Sequence, residues 1–394
     1  MKILGHHDDK TLQQLRAVAG RADHVALMAD GHMGYVMPIG GVAAYRGRVS
    51  PIGVGVDIAC GNAAIRTDLS AEAIRPHLGE VADEIASTIG FGMGRLTNRE
   101  DDAPTDHPLF HSNAWHAIPA AVRDALRERA RSQLGTVGGG NHYVDVFSDE
   151  SGAIWVGVHF GSRGLGFITA HGFVALAQGG EWRSLTPQRS ADMNREVLLD
   201  LDSPLGDAYW TAMSLAGEYA YAGREWVARK VVELLGGAER ELVHNHHNFA
   251  WQEEHHGEEF VVVRKGATPA HDGQYGFVGG SMGDKSVILR GRPSDPAMLE
   301  STVHGAGRVM GRMQAKGKWK KGRLVRPGRV THEMMRNATR DVVLRGGDLD
   351  EAPQVYRKLD DVLAAQGDSI EVVHELTPLI VCMAPPRTRD PYRD

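Results

Sequence analysis

The sequence predicts an α+β fold in which residues 1–394 form a single compact domain. Helical and β-prone segments alternate irregularly along the chain, without the regular βαβ repetition of a parallel α/β fold. No internal repeat, low-complexity segment or Pro/Ser-rich linker marks a domain boundary. The 394 residues have a hydrophobic content of 42%, which is enough for a sizeable buried core.

The period of the apolar residues predicts the individual elements. A helical period predicts three helices, at Ile74, Leu78, Val81, Ile85 and Ile89, at Ile118, Val122, Leu126 and Ala130, and at Tyr209, Met213, Ala216 and Ala220. Short β-prone runs predict strands at residues 40–45, 154–160, 260–263, 287–289 and 379–382. The polar run at residues 253–256 lacks a buried period and is predicted to face solvent.

Composition narrows the class of protein. No stretch approaches ~18 uninterrupted apolar residues, and the start MKILGHHDDK lacks the apolar region of a secretory signal, so we expect a cytoplasmic protein without a membrane partner. The sequence has two cysteines, so a disulfide framework is not expected and each thiol needs another explanation, such as burial, chemistry or metal binding. With a net charge of -6, any nucleic-acid contact needs a local basic face. The basic run at residues 316–329 fits either such a face or a solvated loop.

Asp57 and Cys60 form the first candidate pair for chemistry. They lie three residues apart in GVGVDIACG, between glycines that leave little side-chain bulk around them. A thiolate and a carboxylate together suit a borderline divalent ion, and one sulfur can bridge two metals. The alternative is a buried structural cysteine beside a capping aspartate, which is the better interpretation of an isolated D-x-x-C motif.

Histidines at glycine-rich turns strengthen the metal hypothesis. His32 follows Asp30 and Gly31, His142 follows Asn141, and His159 precedes the glycine-containing residues 161–164. Several histidines where strands meet such turns indicate a site rather than isolated structural residues. In the run from residue 244 to 248 (HNHHN), only some imidazoles can face the same way, so one or two are expected to bind metal.

Glycine turns with basic residues indicate phosphate binding. These turns are RKGA at residues 264–267, GGSMG at 279–283 and HGAGR at 304–308. Since neutral imidazole attacks without a separate base, His304 is a candidate nucleophile at phosphorus. A helix-capping or core histidine is the alternative at that position.

Read together and in order, these motifs resemble the RtcB family of RNA ligases. The resemblance runs from about residue 29 to near the C-terminus. It rests on the motifs ADGHMGYVMPIGGVAA, SPIGVGVDIACG, LGTVGGGNHYVDV, HFGSRGLG, HHNF, RKGA, GGSMG, HGAGR and DEAPQVYRKLDDV. It implies mixed β-sheets at the core, helices around them and a metal site in a central polar cleft.

The resemblance also implies residue roles. It implies two Mn²⁺ ions held by Asp57, Cys60, His142, His159 and His247, with Cys60 as the bridge, and a catalytic His304 that GTP guanylylates. Positions that match contacts to the nucleotide are Asn141, Asp145, His247, Asn248, Ser281, His304, Gly305, Ala306, Gly307 and Tyr356. RNA contacts are expected at Arg163, Arg308 and Arg312.

The implied reaction joins 2′,3′-cyclic phosphate or 3′-phosphate RNA ends to 5′-hydroxyl ends, with RNA and GTP as partners and no partner protein inferred. The sequence departs from the family at the C-terminus, where Val381, Cys382 and Met383 replace a segment that ends in lysine and glycine. It also has Asp145 for glutamate, and Gly223 and Gly279 for asparagine and proline. The alternatives are a metal-dependent RNA-end phosphoesterase without ligation and a non-catalytic RNA-binding relative, for which we expect a degraded metal site.

Overall fold

Two β-sheets meet at the centre of the molecule, in a computed structural model that describes residues 1–92, 104–186, 191–320, 323–386 and 388. The helices of the described residues are α1 Asp9–Ala19, α2 Pro51–Val54, α3 Ala71–Ile74, α4 Leu78–Thr88, α5 Ala120–Gln133, α6 Arg163–Ala177, α7 Pro204–Leu234, α8 Arg312–Lys316, α9 His332–Ala338 and α10 Leu359–Gln366. Their strands are β1 Lys2–Ile3, β2 His24–His32, β3 Ile39–Tyr45, β4 Arg48–Val49, β5 Gly61–Ser70, β6 Gly90–Phe91, β7 Thr136–Gly138, β8 Tyr143–Ser148, β9 Ala153–Phe160, β10 Leu199–Asp200, β11 Glu239–His246, β12 Asn248–His255, β13 Glu258–Lys265, β14 Ala267–Pro269, β15 Tyr275–Val278, β16 Ser286–Gly291, β17 Ser301–Val303, β18 Lys318–Lys320, β19 Arg323–Arg326, β20 Val343–Arg345 and β21 Ile370–Met383.

The smaller of the two sheets has the strand order β1-β2-β3-β13-β12, and the larger follows β11-β5-β9-β8-β21-β16-β15 with β20 beside β21. Both contain parallel and antiparallel pairs, since β1 runs parallel to β2 and β20 parallel to β21. Consecutive strands β11 and β12 belong to different sheets, so His247, the single residue between them, lies where the sheets join. The α+β arrangement of one compact domain with mixed sheets at its core is confirmed.

Helices cover the sheets with continuous apolar faces. The long helix α7 begins at Ser203, whose side chain accepts from the Gly206 N–H, with Pro204 in the first turn as helix starts favour. Its buried residues include Tyr209, Met213 and Ala216, which share one core cluster with residues of α5 and α6. Among the described residues, no helix is both long and apolar enough to cross a membrane.

The predicted elements are found where the sequence indicated. The three helical periods correspond to α4, α5 and α7, and the five β-prone runs to β3, β9, β13, β16 and β21. Helix α6 had no prediction because it is apolar on nearly every side and thus lacks an amphipathic period. The basic run at residues 316–329 contains the β18–β19 hairpin, of which residues 321–322 lie outside the described residues.

The solvent-facing prediction for residues 253–256 is wrong at two positions. Strand β12 alternates, so the side chains of Glu253 and His255 are largely buried while Glu254 is exposed. Glu253 receives two hydrogen bonds from the fully buried guanidinium of Arg264, at 2.7 and 2.8 Å. Burial opposes ionisation, but Arg264 and the nearby histidines outweigh it and hold the pKa of Glu253 below its usual range.

We expect Glu253→Gln to lower the free energy of unfolding by about 3 kcal/mol or more, because it leaves the buried charge of Arg264 without a counter-ion. Urea unfolding measures this loss. The matched control is Glu254→Gln on the same strand, whose exposed side chain predicts a change within about 0.5 kcal/mol. Equal effects of the two substitutions would contradict a stabilising role for the buried pair.

Candidate functional site

A cavity of about 620 Å³ opens between the two sheets. It combines buried polar groups with apolar walls, as ligand sites commonly do. Most residues predicted for the site lie on its wall: Cys60, Asn141, Asp145, His159, His247, Asn248, Ser281, His304, Gly305, Ala306, Gly307, Arg308, Arg312 and Tyr356. Asp57 and His142 lie directly behind Cys60 and complete the group in the interior.

Cys60, His142 and His159 converge on one point. The Cys60 Sγ lies 3.8 Å from His142 Nε2 and 3.7 Å from His159 Nε2, and the three ligand atoms all lie within 4.8 Å of one another. An oxygen of the Asp57 carboxylate lies 3.1 Å from His142 Nε2. All four residues are buried. The arrangement offers sulfur, nitrogen and oxygen donors to a single divalent ion or to a pair of ions.

The loop before β5 holds Asp57 and Cys60 in place through backbone bonds. The Cys60 N–H donates to the Asp57 carbonyl at 3.1 Å, and Ala59 between them has a φ of 61°, a left-handed conformation that is uncommon for a residue with a side chain. Gly161 is required opposite this loop, because a Cβ there would overlap the Asp57 carboxylate. The strained backbone of Ala59 persists only because surrounding contacts enforce it, and such strain is typical of functional sites.

A second set of hydrogen bonds orients the imidazoles. The Nδ1 of His142 lies 2.9 Å from the Val137 carbonyl, and the Nδ1 of His159 lies 2.7 Å from the side-chain oxygen of Asn62. Asn62 is itself fixed, since its amide nitrogen donates to the Phe277 carbonyl at 2.7 Å. Both Nδ1 atoms therefore donate, so the lone pair of each ring is on Nε2 and is available to a metal. Hydrogen bonds to the nitrogen that does not bind the metal orient histidines in metalloproteins in the same way.

His247 supplies a further donor. Its backbone N–H donates to the Cys60 carbonyl at 2.8 Å, and its ring lies 5.2 Å from the His159 ring and 4.9 Å from the His304 ring. The side chain is 2% exposed, yet its Nδ1 has no hydrogen-bond partner among the described residues. A buried nitrogen without a partner is costly unless a ligand binds it. Burial, followed by the charges of nearby histidines, lowers the pKa of both His159 and His247, so both rings are neutral at pH 7 and competent to bind metal.

His304 is fixed by Asp30, a residue to which sequence analysis assigned no role. The Nδ1 of His304 lies 2.6 Å from an oxygen of Asp30, and the same oxygen accepts the His304 N–H at 3.0 Å. Asp30 is fully buried in β2, while His304 follows β17. The carboxylate accepts a hydrogen bond from the Nδ1–H group, so the lone pair is on Nε2. The local signal for Asp30 is its place before a glycine turn in the Asp30-Gly31-His32 motif, which does not identify His304 as its partner.

The residues predicted to contact the nucleotide differ in the hydrogen bonds that their side chains make. Asn248 bridges the Asp57 carbonyl at 3.3 Å and the Gly266 N–H at 2.7 Å, so its amide supports the loop around the cavity. Asn141 contacts His159 Nε2 at 3.3 Å. Burial raises the pKa of Asp145 well above its usual range, and its Oδ1 has no partner among the described residues. The cavity wall near β21 is apolar, with Val381 and Met383.

The three predicted RNA contacts have different positions. Arg308 and Arg312 line the cavity, but they are paired with Glu351, which also accepts from Tyr356. Arg163 is 1% exposed and donates to the Gly92 carbonyl at 2.5 Å, so its position gives RNA no access to the guanidinium. Its guanidinium packs against Gly138, in the turn before His142, rather than at the cavity.

His244 and His246 point away from the cluster, because they share one face of β11 and contact Arg224 of α7. Arg224 is fully buried and donates to four acceptors: His244 Nε2 at 2.9 Å, His246 Nδ1 at 2.8 Å, the Ala59 carbonyl at 2.9 Å and the Phe160 carbonyl at 2.6 Å. Three of these acceptors, in Ala59, Phe160 and His246, adjoin Cys60, His159 and His247 in the chain. One guanidinium therefore ties together three segments that carry candidate ligands.

Known proteins match nearly the whole length of this chain. A family model described as tRNA-splicing ligase RtcB matches residues 11–384. The chain is 33% identical to the RNA-splicing ligase RtcB of Escherichia coli K12, covering 91% of this chain and 90% of that protein. It is 31% identical to the tRNA-splicing ligase RtcB of Thermococcus kodakarensis, covering 93% and 88%, and 29% identical to RNA-splicing ligase RtcB homolog 1 of Entamoeba dispar, covering 90% and 78%.

We expect Arg224→Lys to weaken metal binding about tenfold or more, because an ammonium group cannot reach all four acceptors of the guanidinium. Titration with Co²⁺, followed through the thiolate-to-cobalt absorption of Cys60, measures affinity without any assay of activity. Arg229→Lys is the matched control, since Arg229 is exposed on the same helix and pairs with Glu225 and Glu239. A folded Arg224→Lys protein with the affinity and absorption of the unsubstituted protein would refute the positioning role.

We also expect the metal-free protein to lose stability as the pH falls below about 6.5. Burial and then Arg224 lower the pKa of His244 to about 3 and that of His246 well below its usual range. Between the folded and unfolded pKa values, only the unfolded chain takes up protons, and each such histidine costs up to about 1.4 kcal/mol per pH unit. Urea unfolding between pH 7.5 and 5.5 should show a shallower slope for His244→Gln, and parallel slopes would count against this explanation.

Proposed function

This chain belongs to the RtcB family, and we propose that it is a GTP-dependent RNA ligase that joins 2′,3′-cyclic phosphate or 3′-phosphate ends to 5′-hydroxyl ends through a guanylylated His304. The observation that carries the proposal is the orientation of His304 by Asp30 beside the Cys/His cluster, with the His304 ring 4.9 Å from that of His247. The proposed partners are RNA and GTP, and the proposed location is the cytoplasm.

Orientation makes His304 a suitable nucleophile. Its Nδ1 donates to Asp30 at 2.6 Å, so Nε2 keeps the lone pair that attacks phosphorus. The backbone N–H groups of His304 and Gly305, at 3.0 and 3.4 Å, donate to the same Asp30 oxygen and hold the carboxylate still. Asp30 also stabilises the positive charge that grows on the ring during attack, as a buried carboxylate does for the catalytic histidine of a hydrolase triad.

The donor set fits the metal that the family resemblance implies. Two Mn²⁺ ions would be held by Asp57, Cys60, His142, His159 and His247. The unpartnered Nδ1 of His247 and the converging Nε2 atoms of His142 and His159 support this assignment. When bound, the metal would neutralise charge on the triphosphate and on the leaving pyrophosphate.

The steps then follow from the chemistry of His304. The Nε2 attacks the α-phosphorus of GTP, and the bond from that phosphorus to the oxygen that bridges it to the β-phosphorus breaks. Pyrophosphate departs, and GMP remains bound to His304 as a phosphoramidate. A cyclic phosphate end is hydrolysed to a 3′-phosphate, which takes GMP from His304. The 5′-hydroxyl of the second RNA end attacks the activated phosphorus, and GMP leaves.

The cavity lining supports a nucleotide beside His304. The residues that we propose bind the guanylate line the same cavity as His304: Asn141, Asp145, Asn248, Ser281, Tyr356 and the backbone of Gly305, Ala306 and Gly307. Residues 279 and 305 form a parallel bridge, which brings the Ser281 turn next to the His304 turn. Glycine-rich backbone of this kind can approach phosphate closely.

A metal-dependent RNA-end phosphoesterase without ligation is the second candidate. One observation favours it: the cavity wall near β21 has Val381 and Met383 where the family resemblance implies a segment that ends in lysine and glycine, so a charged contact to the base is absent there among the described residues. Such an enzyme needs the metal cluster but has no use for an oriented His304.

Incubation with GTP labelled at the α-phosphate, in the presence of Mn²⁺, tests the proposal. We expect an acid-labile covalent guanylate that is abolished in His304→Ala. In Asp30→Asn the labelling rate should fall by roughly 10²-fold or more, because a neutral amide cannot balance the positive charge that grows on the His304 ring and its NH2 group can favour the wrong tautomer of that ring. The surface substitution His116→Ala should leave labelling unchanged. Release of phosphate from RNA ends without any labelled protein would favour the phosphoesterase and exclude the ligase mechanism.

A further inference from the structure

A short apolar ledge, Met33 and Tyr35, lies at the mouth of the cavity. Both residues belong to the connection between β2 and β3, and both line the cavity while remaining 48% and 52% exposed. Large apolar side chains on a protein surface are ordinary when they are scattered singly, but two together at the entrance of a ligand cavity indicate a contact surface.

The ledge is fixed rather than loose. The side-chain amide of Gln14 in α1 donates to the Gly34 carbonyl at 2.7 Å and accepts the Gly34 N–H at 3.1 Å. From below, the buried Nζ of Lys265 donates to the Tyr35 carbonyl at 3.0 Å and lies 5.9 Å from the centre of the Tyr35 ring. These contacts hold the backbone that carries the ring in place before any ligand binds.

Backbone strain is stored beside the ring. Val36 has a φ of 55°, and a β-branched residue in this left-handed region is a genuine outlier. The Met37 N–H donates to the Tyr35 carbonyl and closes a tight turn around Val36. Strain of this kind persists where contacts enforce it, and it is concentrated at ligand-binding positions. The turn costs stability and projects Tyr35 into the entrance.

Exposed positive charge follows the cavity residue Arg312 in the chain and indicates the kind of ligand. Helix α8, whose Arg312 lines the cavity, leads into the β18–β19 hairpin. The exposed Lys318, Arg323, Arg326 and Arg329 lie on or after this hairpin and have no ion pair with a carboxylate in the described part of the chain. Solvent-exposed cations without counter-ions suit the phosphate backbone of a nucleic acid.

We propose that the Met33–Tyr35 ledge is a stacking platform for the nucleobase at the end of the RNA strand that enters the cavity. The proposal rests on the proposed ligase function and adds a binding site for the base itself. Single-stranded RNA is recognised largely by stacking of unpaired bases on aromatic side chains, and every base has a face that can stack. An aromatic ring held at the entrance, with phosphate chemistry inside the cavity, positions a strand end without selecting its sequence.

The test measures binding of short fluorescent single-stranded RNAs to the full chain by anisotropy, with Mn²⁺ present and GTP absent so that no ligation occurs. One arm uses RNA with a 5′-hydroxyl end, and the other uses RNA with a 3′-phosphate end. Each arm compares an intact terminal nucleotide with an abasic one. We expect Tyr35→Ala to weaken binding of the intact RNA about tenfold in the arm that uses the ledge, and to leave its abasic counterpart unchanged.

Two controls separate stacking from other effects. Tyr35→Phe keeps the ring and should retain wild-type affinity, while Tyr275→Ala removes an exposed tyrosine that does not line the cavity and should change nothing. Loss of affinity that depends on the terminal base in either arm supports the platform and identifies the strand end. Equal affinities of Tyr35→Ala and the unsubstituted protein, or equal losses with intact and abasic RNA in both arms, would overturn it.

The outcome is separable from the proposed function. Guanylylation of His304 by GTP requires no RNA, so a labelled protein together with an RNA affinity that is insensitive to Tyr35 would reject the platform alone. Absence of the covalent guanylate would reject the ligase mechanism whatever the RNA measurements show.

Discussion

The buried guanidinium of Arg224 is the interaction on which the rest of the site depends. Three of its four hydrogen bonds end on residues that adjoin Cys60, His159 and His247, and the fourth ends on His244, so one side chain of α7 sets the relative positions of three separate segments. Burying this charge is costly, and burial lowers the pKa of Arg224 to about 10, which still leaves it charged at neutral pH. Hydrogen bonds from four of its five N–H donors offset the cost.

The same guanidinium determines the state of the histidines around it. Arginine can only donate, so His244 Nε2 and His246 Nδ1 must both accept, and both rings remain unprotonated. Its positive charge also lowers the pKa of His159 and His247, after the larger effect of burial. A metal site needs neutral imidazoles, and this fold provides them by burial and by a fixed neighbouring cation.

Local sequence was enough to predict most elements and to single out most of the residues that the fold brings to the cavity. Glycine-flanked residues such as Asp57, Cys60 and His142 stand out because each bears a ligand atom at a turn, and periodicity is a local property. The partners Asp30 and Arg224 could not be predicted this way, since they lie 274 residues from His304 and 165 residues from Ala59 in the chain. Arg163 was misjudged for a related reason: a glycine-rich motif does not reveal which of its side chains turns inward.

The charges of the cavity show why a metal is central to the proposed chemistry. Arginine and lysine on the cavity wall are limited, in the described residues, to Lys265, Arg308 and Arg312. Lys265 is bonded to the Tyr35 and Ile52 carbonyls, and both arginines are paired with Glu351. Each cation is thus already engaged, while a triphosphate brings several negative charges into a partly closed space. In the proposed reaction the neutralising charge would come from ions held by the Cys60 cluster, so the arrangement that Arg224 enforces would also determine where phosphate chemistry occurs.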